Sequence, residues 1–373
     1  MKKRIASKPR AAILTWCNNN GPTNYGQILQ CYATQHLVRE AGYEPLVVQY
    51  RKKGSRDLLA HNFSNRTALG RAMNRYYERY YNQQVVEQEK SPRVERFTAF
   101  IQRYIPLSAP CYTKKMVEDM TKDCDILVCG SDQIWNPVCF DPVWFLDFGT
   151  PKQKRIACAP SGIFYEKEEY KECYQKMAFL IEQLDEINVR ERIGADILRK
   201  YVKKEIKVRE DPTLRLGQKQ WDKVADKKLV EGNYIFCYLL GSLSPYQMIL
   251  RELKCGYQAE KIVYISTNLL LEEGYREFLK YEDAGPAQFL SLIKYAKAVC
   301  TDSFHGTAMA LQYGIPFYNV RRVHKGTEAF GGGERINNLL QERGLPERWV
   351  RNVSDIRQMT FKYDGLMNKD TCM

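Results

Sequence analysis

The sequence has no apolar run close to the roughly 18 residues that a membrane-crossing helix needs, so a helical membrane span is excluded. Histidine is scarce at four residues, and no Cys-x-x-Cys pair stands before one at metal-ligand spacing. A zinc site of the usual kind is therefore not supported, and the metal expectation is none. No internal repeat or low-complexity tract is found, which argues against solenoids and disordered arrays. The basic opening Met1-Lys2-Lys3-Arg4 is followed by only Ala11–Trp16 as an apolar run, too short for a signal segment and better read as a first strand. With neither signal nor span, the expected location is cytoplasmic.

The chain has 373 residues, 44% hydrophobic and 27% charged. That suffices for two cores and excludes disorder as the main state. Most of the 12 cysteines lie inside apolar runs, such as Cys129 in Ile-Leu-Val-Cys-Gly, and read as small buried hydrophobes. The net charge of +13 is compatible with a phosphate, polyanion or membrane-surface partner, and equally with a solvated basic face.

Short apolar runs alternate with helix-like stretches. In the first half they are 11–16, 45–50, 125–130, 155–160, 186–190 and a weaker 205–209. In the second half they are 234–241, 261–266, 298–303 and 316–320. Amphipathic segments lie between the runs of both halves, at 27–41, 286–297 and 306–313. This alternation predicts an α/β fold of two Rossmann-like domains with mostly parallel sheets. The expected domains are 1–212, with a helical insertion near 56–105 rich in Tyr and Arg, and 213–350. The last segment, 351–373, is expected to pack back on the first domain. The boundary falls at Asp211-Pro212-Thr213, where proline disfavours a helix through Asp211, before a helix-like 218–229.

In open parallel sheets, ligands sit beyond the carboxyl ends of strands. Four loops there carry chemistry. In the first, Asn18 to Gln27, Asn24 is a candidate N-cap beside Tyr25 and Gln27, with free N–H groups that favour an anion or simply close a turn. In the second, Gly130 to Pro137, Ser131, Asp132 and Gln133 offer groups for hydroxyls. Trp135 there offers a flat face for a sugar or a packing anchor. The third is Val189-Arg190-Glu191-Arg192, where Arg190 can clamp a carboxylate or phosphate, or pair internally with a glutamate. The fourth, Cys300 to Thr307, places Ser303 and His305 at a helix start, where an imidazole could exchange protons near neutral pH. Arg321, Arg322, Lys325 and Arg335 follow and could surround an anion.

These motifs, taken in order, resemble the polysaccharide pyruvyl transferases. The likeness rests on Asn24-Tyr25-Gly26-Gln27, Gly130-Ser131-Asp132-Gln133-Ile134-Trp135-Asn136, Phe145-Leu146-Asp147-Phe148, Val189-Arg190-Glu191 and Asp211-Pro212-Thr213. It continues through Tyr234 to Tyr238, Gly285-Pro286, Phe289, Thr301 to Gly306 and Pro316-Phe317. The resemblance implies a GT-B-like fold with its active site in the interdomain cleft. It implies transfer of pyruvate from phosphoenolpyruvate to two hydroxyls of a sugar, giving a cyclic ketal, with no cofactor beyond that donor. It makes His305 the proton-transfer residue and Arg190 a donor contact. Asp132 would orient or deprotonate the acceptor, helped by Asn24 and Gln133.

Many members have Arg-Leu-His where this chain has Ser303-Phe304-His305, and Arg321, Arg322 or Arg335 would replace that arginine. The expected partners are phosphoenolpyruvate and a sugar or lipid-linked glycan. No nucleic acid is expected, and peripheral membrane association is compatible with the charge. A nucleotide-sugar glycosyltransferase and a non-catalytic glycan- or nucleic-acid-binding protein are the alternatives.

Overall fold

The computed structural model describes residues 8–17, 23–51, 91–266, 277–324, 327–328 and 333–359. The chain divides into two compact units, Met1–Pro212 and Thr213–Met373.

The first unit is a sheet of six strands, β1 (Arg10–Leu14), β2 (Glu44–Val48), β3 (Ile126–Cys129), β4 (Lys154–Cys158), β5 (Glu186–Val189) and β6 (Lys207–Val208). All neighbouring pairs are parallel, in the order β2-β1-β3-β4-β5-β6. The four residues of β3 are buried throughout, as a central strand covered on both faces requires. Helices α1 (Tyr25–Glu40), α2 (Pro92–Tyr104), α3 (Lys114–Thr121), α4 (Lys171–Ile181) and α5 (Arg192–Leu198) complete the unit. Helix α2 lies on α1: the rings of Tyr25 and Phe97 are 4.9 Å apart, and Gln35 donates to the Tyr104 carbonyl. This helix is the described end of the expected insertion; residues 52–90, with the Tyr/Arg-rich run, lie outside the described residues.

The second unit has β7 (Tyr234–Leu239), β8 (Lys261–Ser266), β9 (Leu279–Lys280), β10 (Ala298–Thr301) and β11 (Phe317–Asn319). They form a parallel sheet in the order β11-β10-β7-β8-β9. Counted within the unit this is 3-2-1-4-5, the Rossmann order. A separate antiparallel ribbon pairs β12 (Val323–His324) with β13 (Thr327–Glu328). Among the described residues its longer helices are α6 (Gln247–Gly256), α7 (Pro286–Lys294), α8 (Phe304–Tyr313), α9 (Gly333–Glu342) and α10 (Val353–Gln358).

One expectation changes. The helix foreseen over 218–229 is only the turn Gln218–Trp221. Beyond it the chain leaves the helical path, and Asp226 bonds to the start of α7 through the Ala287 carbonyl and the Gln288 side chain. Of the C-terminal segment 351–373, the described part, α10, packs on α6: Ile356 is fully buried in the second unit's core and Arg357 pairs with Glu252 at 3.1 Å. Residues 360–373 lie outside the described residues.

Candidate functional site

In each sheet the strand order reverses at one place, and loops that leave there diverge to opposite faces and open a crevice. In the first unit the reversal lies between β1 and β3; in the second it lies between β7 and β10. The motif loops occupy both places.

At the first reversal, Thr15 follows β1 and donates through Oγ1 to the Ser131 carbonyl at 2.8 Å. Gln30 of α1, fully buried, donates to Thr15 Oγ1 at 2.9 Å and to the Trp16 carbonyl at 2.8 Å, which fixes the helix to the strand end. Gly130 lies so close to Thr15 that a Cβ would stand 2.7 Å from the Thr15 Cβ, so only glycine fits. Asn24 caps α1 by accepting from the Gln27 N–H at 3.2 Å. Residues 18–22 of this loop lie outside the described residues.

Asp132 then adopts φ 70° and ψ −179°, a backbone region open almost only to glycine. The residues around it hold it there. Ser131 donates to Asp211 at 2.9 Å, and the Asp132 carbonyl accepts from both Ile134 and Ser161 at 2.8 Å. Its own carboxylate does not cap the turn that follows, and its charge acts on Arg190.

Arg190, at the end of β5, is not open to a ligand. Its side chain is 3% exposed; Nε meets Glu191 and Nη1 meets Asp211, each at 2.7 Å, and Nη2 donates to Ser161. Burial opposes its charge, but Glu191, Asp211 and Asp132 outweigh that and raise its pKa above the ordinary range. Of the two readings of this arginine, ligand clamp or internal partner, the fold shows an internal pairing, with two carboxylates. Trp135 has the geometry of the packing anchor. It is fully buried, stacked on Phe145 at 4.9 Å and 12°, and its indole N–H donates to the Trp144 carbonyl, so it presents no face to a sugar. Tyr25 and Gln27 also point inward, at 0% and 1% exposure, and burial raises the Tyr25 hydroxyl pKa despite Arg93 nearby. Gln133 is half-buried and accepts from Asn136.

At the second reversal, Ser303 caps α8 by accepting from the Gly306 N–H at 3.3 Å. His305 is the second residue of that helix, 8% exposed, with its ring edge-on to Phe304 at 5.3 Å. Thr301 donates to the Tyr238 carbonyl at 2.6 Å and accepts from the Ser303 N–H at 3.1 Å. Asn319 of β11 donates to the Thr301 carbonyl and to Thr307 Oγ1. Asp302, 2% exposed, accepts from the N–H groups of Leu240 and Gly241 at 2.7 and 2.9 Å. Of the arginines considered, Arg322 reaches this turn: Nη2 donates to the Asp302 carbonyl at 3.1 Å, and Nε is 3.5 Å from its carboxylate. Arg321 is exposed and its carbonyl accepts from Tyr246, while Arg335 is half-buried on α9. Lys325 lies outside the described residues.

Ser161, Asp211 and Asp302 act as braces that the sequence alone does not single out. Their signal was present as polar residues at strand carboxyl ends, but nothing in the spacing names their partners. Among the described residues no group of three His, Cys, Asp or Glu could hold a metal, and no helix is long and apolar enough to cross a membrane.

Residues 24–322 match the family model described as polysaccharide pyruvyl transferase. No curated protein matches the chain. Solved structures with a similar course include a putative UDP-N-acetylglucosamine 2-epimerase from Listeria monocytogenes, at 12% identity and TM-score 0.45, covering 96% of this chain and 93% of that one. The UDP-GlcNAc 2-epimerase of Methanocaldococcus jannaschii gives 12% identity and TM-score 0.48, with 93% and 90% covered. The glycosyltransferase SnogD of Streptomyces nogalater gives 13% identity and TM-score 0.37, with 94% of each chain covered.

Proposed function

The chain belongs to the polysaccharide pyruvyl transferase family, and we propose that it transfers pyruvate from phosphoenolpyruvate to two hydroxyls of a glycan sugar, releasing phosphate. The observation that carries this is that the family match includes both reversal loops, with Asp132 at one and His305 at the other.

The chemistry sets the roles. A proton must reach the donor's methylene carbon as a sugar hydroxyl adds to the neighbouring carbon and loses its own proton. The carbon–phosphate oxygen bond then breaks, and a second hydroxyl closes the ketal. His305, at a helix start where N–H groups favour anions, is the general acid–base; such groups contribute about 10² to 10⁴ in rate. Asp132, whose carboxylate does not cap the turn that follows it, orients or deprotonates the acceptor hydroxyl. Ser303, Asn24, Gln133, Arg321 and Arg335 remain proposed substrate contacts. Arg190 acts from within, holding the turns on which Asp132 stands. The work is expected in the cytoplasm, on a free or lipid-linked glycan.

The test is phosphate release from phosphoenolpyruvate across a panel of glycan acceptors, with mass spectrometry for the added pyruvate. His305→Gln should abolish both signals while leaving the folded state intact. Release at the unmodified rate in that variant would refute the assignment. Dependence on a nucleotide sugar instead of phosphoenolpyruvate would favour the glycosyltransferase reading.

A further inference from the structure

We infer that Asp302 is the positioning residue for His305, an internal anion that clamps the turn between β10 and α8 onto the end of β7. This rests on the proposed role of His305.

The carboxylate receives two consecutive backbone N–H groups, from Leu240 and Gly241, one on each oxygen at 2.7 and 2.9 Å. Paired N–H groups of this kind form a small anion-binding concavity. It sits where the Rossmann order reverses, the place at which such sheets take ligand phosphates. Here the protein's own side chain fills it, so those two N–H groups are not available to a phosphate. Gly241 is pinned from its other side, since a Cβ there would lie 2.6 Å from the Val323 carbonyl, and Ser242 N–H donates to that same oxygen at 2.8 Å. Arg322 joins the clamp from beyond β11 through its contacts to the Asp302 carbonyl and carboxylate. Three chain segments therefore meet on one residue, and His305 follows it by three positions on the helix whose first turn Ser303 caps.

A carboxylate is the group this joint requires. Asparagine would keep one acceptor for Leu240 but set its amide N–H₂ against the Gly241 N–H, and it would leave Arg322 without a counter-charge. The turn would then relax, and His305 would lose its aim without losing its chemistry.

The experiment compares the full-length protein with Asp302→Asn and, as a second variant, Arg322→Gln. Three quantities are read on each: steady-state phosphate release from phosphoenolpyruvate, thermal stability, and the ring resonances of His305, assigned by their loss in His305→Gln. Misplacing a catalytic group by about 1 Å costs about a hundredfold, so kcat should fall by that order in Asp302→Asn. KM for phosphoenolpyruvate should stay within about twofold, because uniform binding is not removed. The His305 resonance should shift or split, and Arg322→Gln should show the same change in weaker form. An unchanged kcat and an unchanged resonance with only a lower melting temperature would mean Asp302 serves stability alone and would overturn the inference. A rise in KM with kcat preserved would do so as well, by making Asp302 a substrate contact. If the unmodified protein releases no phosphate from phosphoenolpyruvate, the pyruvyl reading fails. The His305 resonance then decides the inference by itself, and an unaltered signal in Asp302→Asn rejects it.

Discussion

The backbone at Asp132 offers a direct way to separate strain from chemistry. At φ 70° and ψ −179° the Cβ of any L-residue is crowded, and such conformations cost on the order of 1–3 kcal/mol. Replacing Asp132 by glycine removes that cost but returns about 0.5–1 kcal/mol through the freer unfolded chain. Replacing it by alanine removes the carboxylate and keeps the Cβ, so the strain stays. The glycine variant should therefore be more stable than the alanine variant by roughly 0–2.5 kcal/mol, with the middle of that range expected. For a unit of this size, about 1 kcal/mol moves the melting temperature by about 2–4 °C, within reach of calorimetry or urea titration. Both variants lose the carboxylate, so both should lose glycan pyruvylation to a similar extent. Two outcomes refute the reasoning. A glycine variant no more stable than the alanine one means no strain is stored at this turn. Full activity in either variant means the turn is not held for the sake of its carboxylate.

Arg190→Ala should act on folding before it acts on catalysis. It would leave Glu191 and Asp211, both buried, without their guanidinium, and breaking a buried pair in this way costs about 3–5 kcal/mol, measurable by denaturant unfolding. A variant of unchanged stability would restore the donor-clamp reading. Gly306→Ala is expected to run against helix propensity: alanine ordinarily gains about 1 kcal/mol over glycine within a helix. Here its Cβ would stand 2.6 Å from Thr301 Oγ1, so overpacking of about 1–3 kcal/mol opposes that gain and a net loss of about 0–2 kcal/mol is expected. The same substitution beside Thr301→Ala should recover part of that loss, and thermal melts of the three variants test it.

The central strands were legible because burial on both faces leaves nearly continuous apolar runs. Tyr234–Leu239 is buried at every residue and was expected within 234–241. The loops at their carboxyl ends were legible for the converse reason, as polar clusters that interrupt those runs. What the pattern could not carry was short or reciprocal. The two-residue strand β9 and the ribbon of β12 and β13 are too brief for any periodicity to register. A tryptophan after a strand reads equally as platform or anchor until Phe145 is seen beneath it. An arginine at a strand end reads equally as clamp or brace until Asp211, 21 positions on, is placed against it. Partner identity at such separations is a product of topology, and one sequence does not encode it locally.

Net charge is subject to the same limit. A surplus of +13 describes the whole chain, and on composition alone it is equally compatible with an anionic partner and with a solvated basic face. At the first reversal the local balance has the opposite sign: Asp132, Glu191 and Asp211 gather around the single guanidinium of Arg190. At the second, one carboxylate is shared between two backbone N–H groups and Arg322, next to a helix start. Screening confines exposed charges to about 8–10 Å at ordinary ionic strength, while buried groups a few ångströms apart act on each other with little attenuation. The proposed reacting groups therefore answer to these few neighbours more than to the net charge, and on that proposal substitutions of exposed lysines say less about the reaction than a single change at Asp132 or Asp302.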